Sequence, residues 1–166
     1  MPDIAVGCSH TFGTGVEPNE AWPALLGLKN YGVEGCSTDY IARVFPYVAA
    51  KEQPKVVYAL WPDWTRFEYV DDGNYKQSLV TDTNRIEFME SWPESRLREN
   101  FNSCVEKITR ICKERSITLI SMTLDDLIPY IDHADCWPLS KLGHHYSPLW
   151  HQWVADIFRQ KYNEQT

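Results

Sequence analysis

Short apolar runs alternate with longer amphipathic stretches along this chain. Asp3 to Val6 forms an apolar opening that reads as a strand, ended by Gly7. Glu20 to Leu28 carries Ala21, Trp22, Leu25 and Leu26 on one face, with Asn19 as a candidate cap, and predicts a helix. A second helix is predicted from Ser37 or Thr38, where Ile41, Val44, Phe45 and Val48 keep helical spacing. Lys55 to Trp61 (KVVYALW) is a short apolar run of the kind that fills a buried strand. Residues 62–91 are polar and irregular, and Asp71-Asp72-Gly73-Asn74 marks a turn. A stretch of that length either carries function or contains short elements.

The strongest helical pattern runs from about Glu94 to Arg115, through Leu97, Phe101, Cys104, Val105, Ile108, Ile111 and Cys112. Ser116 to Met122 reads as another strand, Leu124 to Ile131 as a weaker helix and Asp132 to His144 as loop. Ser147 caps a last helix with Pro148 in its first turn and Trp150, Trp153, Val154, Ile157 and Phe158 as its apolar stripe. Strands alternating with helices predict a parallel sheet covered by helices on both faces. Such sheets place their sites at the carboxyl ends of the strands. Ser9, just past the first strand, and Trp61 to Glu68, at the tail of a later one, should share that edge.

Composition narrows the picture. The 166 residues suit one domain spanning 1–166, and 43% apolar residues supply a core. No apolar run has the length to cross a bilayer, and Met1 leads into Asp3-Ile4-Ala5-Val6 without the basic segment of a secretory signal. Five cysteines without a CxxC pair suggest neither a disulfide framework nor a zinc knuckle. A reducing, cytoplasmic setting is the simplest expectation. A net charge of -7 argues against binding nucleic acid or anionic lipid by electrostatics.

The segment GCSHTFGTGVEPNEAWPALL resembles the first motif block of the SGNH (GDSL-like) hydrolases, Gly-Asp-Ser-x-(Thr/Ser)-x-Gly followed by a Trp-Pro-x-Leu-Leu helix. The resemblance makes Ser9 the nucleophile. Cys8 stands where the family usually has Asp, a Gly-Cys-Ser form also met in phage and environmental sequences. Asn30-Tyr31-Gly32-Val33-Glu34-Gly35-Cys36-Ser37 resembles the second block, and its mapping implies that Gly35, with Ser9, lends a backbone N–H to the oxyanion hole. The third block normally supplies an Asn side chain. Here the strand is followed by Trp61-Pro62-Asp63-Trp64-Thr65-Arg66-Phe67-Glu68, similar to the Trp-(Ser/Thr)-x-x-x-Arg-x-Glu segment of the environmental branch. An ionised Asp63 cannot donate in place of Asn. Arg66 or the Trp64 N–H could serve, or Arg66 and Glu68 could pair and order the loop, the reading favoured here.

The last block, Leu142-Gly143-His144-His145-Tyr146-Ser147-Pro148, resembles Asp-Gly-x-His-x-(Gly/Ser)-Pro. The base maps to His145, with His144 second, and the family's Asp falls on Leu142, or on Lys141 if His144 is the base. Asp135, or else Asp132, could orient the imidazole from the same loop; otherwise a Ser9–His145 dyad operates. A zinc site built on His144, His145 and His151 lacks ligand spacing, and His151 is expected to be a polar residue of the final helix. Cys8 is read as a small buried side chain. Trp22, Trp92 and Trp150 are expected in the core, whereas Trp61, Trp64 and Trp137 are expected to line a substrate groove with Asp63, Arg66 and His144.

The resemblance implies a flavodoxin-like three-layer α/β/α sandwich around a roughly five-stranded parallel sheet, with an abbreviated second strand. It implies hydrolysis of an acyl or acetyl ester on a carbohydrate or small molecule, with no cofactor and no metal. A binding or structural protein that kept the fold, such as a virion or assembly component, is the alternative.

Overall fold

The computed structural model describes residues 2–71, 73–79, 92–127 and 145–165. A parallel sheet runs through the middle, with strands β1 (Ile4–Gly7), β2 (Lys29–Gly32), β3 (Val56–Trp61) and β6 (Thr118–Thr123) in the order β2-β1-β3-β6. Register brings Gly7 opposite both Gly32 and Leu60, so β1 and β2 end level and β3 runs one residue further. Successive side chains of a strand point to opposite faces, and that alternation builds a core on each side. Ile4, Val6, Val57, Ala59 and Trp61 point to one face, where α3 (Thr38–Glu52) and α4 (Glu94–Glu114) pack through Ile41, Phe45, Ala49, Ile108 and Cys112. Ala5, Val56, Tyr58 and Leu60 point to the other, against α2 (Trp22–Leu25) and α5 (Pro148–Gln165), which bury Trp22, Trp150, Val154 and Phe158. All six residues of β3 are buried, as expected of a strand covered on both faces.

The long helices follow their sequence signals. Ser37 caps α3 by accepting from Tyr40 N at 3.2 Å, and Ser147 caps α5 by accepting from Trp150 N at 3.4 Å. The predicted helix over Glu20–Leu28 is cut to the four residues of α2. Leu28 N donates back to Pro23 O at 2.9 Å, closing the helix so that the chain can extend into β2. The strand β2 starts at Lys29 and runs through the first three residues of the second motif block, which is how the chain fits a second strand into so short a space.

The polar stretch after β3 holds an antiparallel hairpin. β4 (Arg66–Asp71) pairs with β5 (Asn74–Leu79), and Asp71 faces Asn74 across the predicted turn. Period-2 apolar patterning is weak there because the hairpin stands outside the parallel sheet. A polar node ties it to the helices. Glu68 accepts from Arg43 Nε at 3.1 Å and Nη2 at 2.9 Å. Asp39 accepts from Asn100 Nδ2 at 2.7 Å and from Glu68 N at 3.4 Å. The predicted Arg66–Glu68 pair is therefore not the one formed: the half-buried Glu68 points to α3, where Arg43 reaches it. Of the predicted helix Leu124–Ile131, Asp125–Leu127 is a short 3-10 turn and residues 128–131 lie outside the described residues.

Candidate active site

Past Gly7 the chain turns across the ends of β1 and β2 and forms the one-turn helix α1 (Ser9–Phe12). This packing needs glycine at both strand ends. A Cβ on Gly7 would sit 2.6 Å from Leu60 O and inside Thr11 Oγ1, and one on Gly32 would sit 2.7 Å from Thr11 C and inside Phe12 N. The obstacle at Gly32 is backbone, which cannot step aside as a side-chain tip can. Asn30 then holds α1 in place. Its Nδ2 donates to Thr11 O at 2.9 Å and Phe12 O at 3.2 Å, while its Oδ1 accepts from Gly32 N at 2.8 Å. Ser9 is 5% exposed, and its Oγ makes no hydrogen bond among the described residues.

Gly35 lies in the turn before α3 with φ +70°, and a Cβ there would meet nothing within 4 Å. Its N–H has no hydrogen-bond partner among the described residues. The neighbouring Cys36 thiol donates to Gly7 O at 3.2 Å, which ties this turn to the end of β1. Burial pushes the Cys36 thiol up to about 12, so it remains a protonated donor. Cys8 is fully buried, as read from the sequence.

His145 reaches the same edge. Its ring centroid lies 5.5 Å from that of His10, the residue after Ser9. His10 also packs on Tyr146 at 4.9 Å and Trp150 at 5.5 Å, and Tyr146 stacks on Trp150 at 4.3 Å. Burial lowers His10 to about 3, helped by the positive charges of His145, Arg66 and His151, so its ring is neutral at neutral pH. His151 corrects the expectation of a polar surface residue. It is 1% exposed, its Nδ1 accepts from Trp22 N at 3.3 Å, and burial followed by the charge of His145 lowers it to about 4. Its position on the Trp150 and Val154 side of α5 follows from helical spacing, which the sequence reading set aside because histidine is polar.

Asp135, Asp132, Trp137 and His144 lie outside the described residues. Trp61 does not line a groove: it ends β3 pointing into the α3/α4 core and is 2% exposed. Trp22 and Trp150 are core as expected, whereas Trp92 is half-buried and stacks on Phe67 at 5.4 Å. Asp63 Oδ1 accepts from Thr65 N at 2.8 Å and Thr65 Oγ1 at 2.6 Å, forming the turn that leads into β4. The Arg98 guanidinium lies 4.0 Å from the centre of the Trp64 ring. Asp63, Trp64, Arg98, Phe101, Asn102 and Asp125 surround a cavity of about 180 Å³ at the ends of β3 and β6. The structure thus gathers Ser9, Gly35, His145, Asp63, Trp64 and Arg66 at the carboxyl edge. Among the described residues no three His, Cys, Asp or Glu side chains converge as a metal site.

A scan against models of protein families finds no match, and a search of curated proteins finds none either. Solved structures do match over nearly the whole chain. TesA superposes with a TM-score of 0.63 at 11% identity, covering 97% of both chains. The psychrotrophic esterase EstA from Pseudoalteromonas sp. gives 0.54 at 11% identity, covering 99% of this chain and 98% of its own. A catalytic mutant of Axe2, an acetylxylan esterase from Geobacillus stearothermophilus, gives 0.52 at 10% identity, covering 96% and 92%. The chain has the three-layer α/β/α fold of these structures. Within that fold the sequence reading missed three residues that shape the site: His10, Asn30 and Cys36. Asn30 and Cys36 were in view as parts of a motif block, but their bonds to α1 and β1 join residues far apart in sequence. His10 gave no periodic signal at all, because α1 is a single turn.

Proposed function

We propose that this chain is a serine ester hydrolase acting on an acyl or acetyl group carried by a carbohydrate or another small alcohol. The observation that carries the reading is the approach of His145 to the turn bearing Ser9, through the His10 ring. It brings the motif's base and nucleophile to one sheet edge from opposite ends of the chain. The open face of Gly35 beside them supports the oxyanion role.

In this mechanism Ser9 Oγ attacks the ester carbonyl carbon as His145 takes its proton. The carbonyl π pair moves onto oxygen, and the N–H groups of Ser9 and Gly35 hold the resulting oxyanion. Collapse expels the alkoxide, which leaves as alcohol with the proton from His145. Water then attacks the acyl-Ser9 ester while His145 accepts its proton. Return of that proton to Ser9 Oγ releases the acid and restores the enzyme. Asp135 is the carboxylate we assign to orient His145. The carbohydrate class is supported by the acetylxylan activity named for Axe2. The cavity at the ends of β3 and β6, on the same sheet edge although neither Ser9 nor His145 lines it, mixes an indole, a phenyl ring, carboxylates and an amide, which suits a polyol with both apolar and hydroxyl faces.

Fluorophosphonate labelling tests this directly. Wild type should be labelled and should hydrolyse p-nitrophenyl acetate. Ser9→Ala should lose labelling, and Ser9→Ala and His145→Ala should each lose about 10³-fold or more of turnover. An unlabelled, inactive but folded wild type would sink the reading in favour of a binding protein on a hydrolase fold.

A further inference from the structure

Arg66 opens β4, directly after the turn at the end of β3. Its Nη1 is buried and has no hydrogen-bond partner among the described residues. A guanidinium keeps its charge throughout the working pH range and has only donors. A donor left buried and unpaired costs stability, and a charged one costs more than a neutral one. The chain is not short of carboxylates, with 23 Asp and Glu against 16 Lys and Arg. Yet Glu68 goes to Arg43, and the Oδ1 of Asp63 goes to Thr65.

The Arg66 charge is felt on two sides. Burial and His145 lower His10, and Arg66 adds to that effect. Burial raises Cys36, and Arg66 opposes the rise. His10 follows Ser9 and Cys36 follows Gly35, so the Arg66 charge reaches both turns that carry the N–H groups assigned to the oxyanion hole, and Arg66 itself opens β4 just beyond the carboxyl end of β3. The strand end where a third donor is expected has no Asn, and an ionised Asp63 only accepts.

We propose that Arg66 is the third oxyanion donor, holding the carbonyl oxygen as it turns negative under attack by Ser9. The proposal rests on the esterase reading above. Arg66 transfers no proton: the π pair moves onto the oxygen, and the guanidinium N–H donates to it while remaining charged. Charge-assisted hydrogen bonds are roughly twice as strong as neutral ones, and a water-poor site preserves that advantage. The donor that has no acceptor among the described residues then gains one in the transition state.

The experiment compares wild type, Ser9→Ala, Arg66→Met and Arg66→Lys by p-nitrophenyl acetate kinetics, methylphosphonate binding followed by phosphorus NMR, and thermal denaturation. Arg66→Met should lower kcat about 10²–10³-fold with KM changed less than about threefold. It should also weaken methylphosphonate binding by about tenfold or more, without lowering the denaturation midpoint. Arg66→Lys should fall between, keeping a point charge without the fork. Ser9→Ala should lose turnover but keep methylphosphonate binding, which separates the anion-holding role from the nucleophile. The proposal is overturned if Arg66→Met keeps kcat and methylphosphonate affinity within about threefold of wild type. It is also overturned if Arg66→Met and Arg66→Lys lose activity only in step with stability. A wild type that neither labels at Ser9 nor turns over ester would sink the esterase reading. Methylphosphonate binding that still depended on Arg66 would then mark an anion site without the oxyanion role.

Discussion

Gly32 and Gly35 sit three residues apart in one motif block, yet they do different work. At Gly32 a side chain would collide with the backbone of α1. At Gly35 there is room, and only the positive φ of +70° opposes a side chain. Gly32→Ala should therefore destabilise the fold by about 1–3 kcal/mol and abolish Ser9 labelling, because α1 has to move. Gly35→Ala should cost only about 1–2 kcal/mol and leave α1 in place. Urea denaturation together with labelling rates checks the contrast, and a Gly32→Ala variant that still labels at the wild-type rate would refute it. At this scale the motif glycines were visible in the sequence but their separate reasons were not, since the colliding atoms of Gly32 belong to residues 11 and 12. Trp61 is the opposite case. Its place at a strand end suggested a groove, and side-chain alternation along β3 turned it into the core.

Among the elements, α3, α4 and α5 were legible because each presents a long apolar stripe with a cap or a clean start. The short elements were not. α1 and α2 are single turns, set by packing and by side-chain bonds rather than by propensity. Asn30 is the bond that matters most for α1. Asn30→Ala should lose the clamp on the Thr11 and Phe12 carbonyls, cost about 1–3 kcal/mol, and slow labelling of Ser9. Asn30→Asp keeps the acceptor for Gly32 N but turns a carboxylate towards those carbonyls, so it should slow labelling more than Ala does. Equal labelling rates in wild type and both variants would show that α1 holds itself. The hairpin of β4 and β5 escaped the sequence reading for a related reason. Its anchors, Arg43 to Glu68 and Asn100 to Asp39, are long-range polar bonds without a periodic signature.

For the molecule as a whole, the neutral histidines beneath the site make stability depend on pH. His10 at about 3 and His151 at about 4 both lie below the unfolded value near 6.5. Between those limits the unfolded chain binds more protons than the folded one, so stability rises with pH. The contribution is complete above about pH 6.5 and is lost as pH falls, with a limiting slope of about 1.4 kcal/mol per pH unit for each group. His10→Phe should flatten that slope by about one group's share while leaving stability at neutral pH nearly unchanged. Urea denaturation across the acid range measures it, and an unaltered slope would show that His10 is free to protonate in the fold. Among the described residues, no helix is long and apolar enough to cross a membrane.

The alternation of strands and helices, the two-faced core and the sheet edge proposed for the site all followed from the order of apolar and polar residues. Those features depend on local periodicity, which a sequence carries explicitly. The motif blocks likewise named Ser9, Gly35 and His145 from short-range spacing. Tertiary structure alone decided which polar groups meet: Glu68 with Arg43 rather than Arg66, His151 with the Trp22 backbone, and His10 with His145. Pairing between distant residues depends on how layers pack and which groups lose water, and neither is written in the spacing of residues along the chain. Arg66 stands on that boundary, since its place in the motif was legible but its buried donor, without a partner among the described residues, emerged only when the fold gave its expected carboxylate to another arginine.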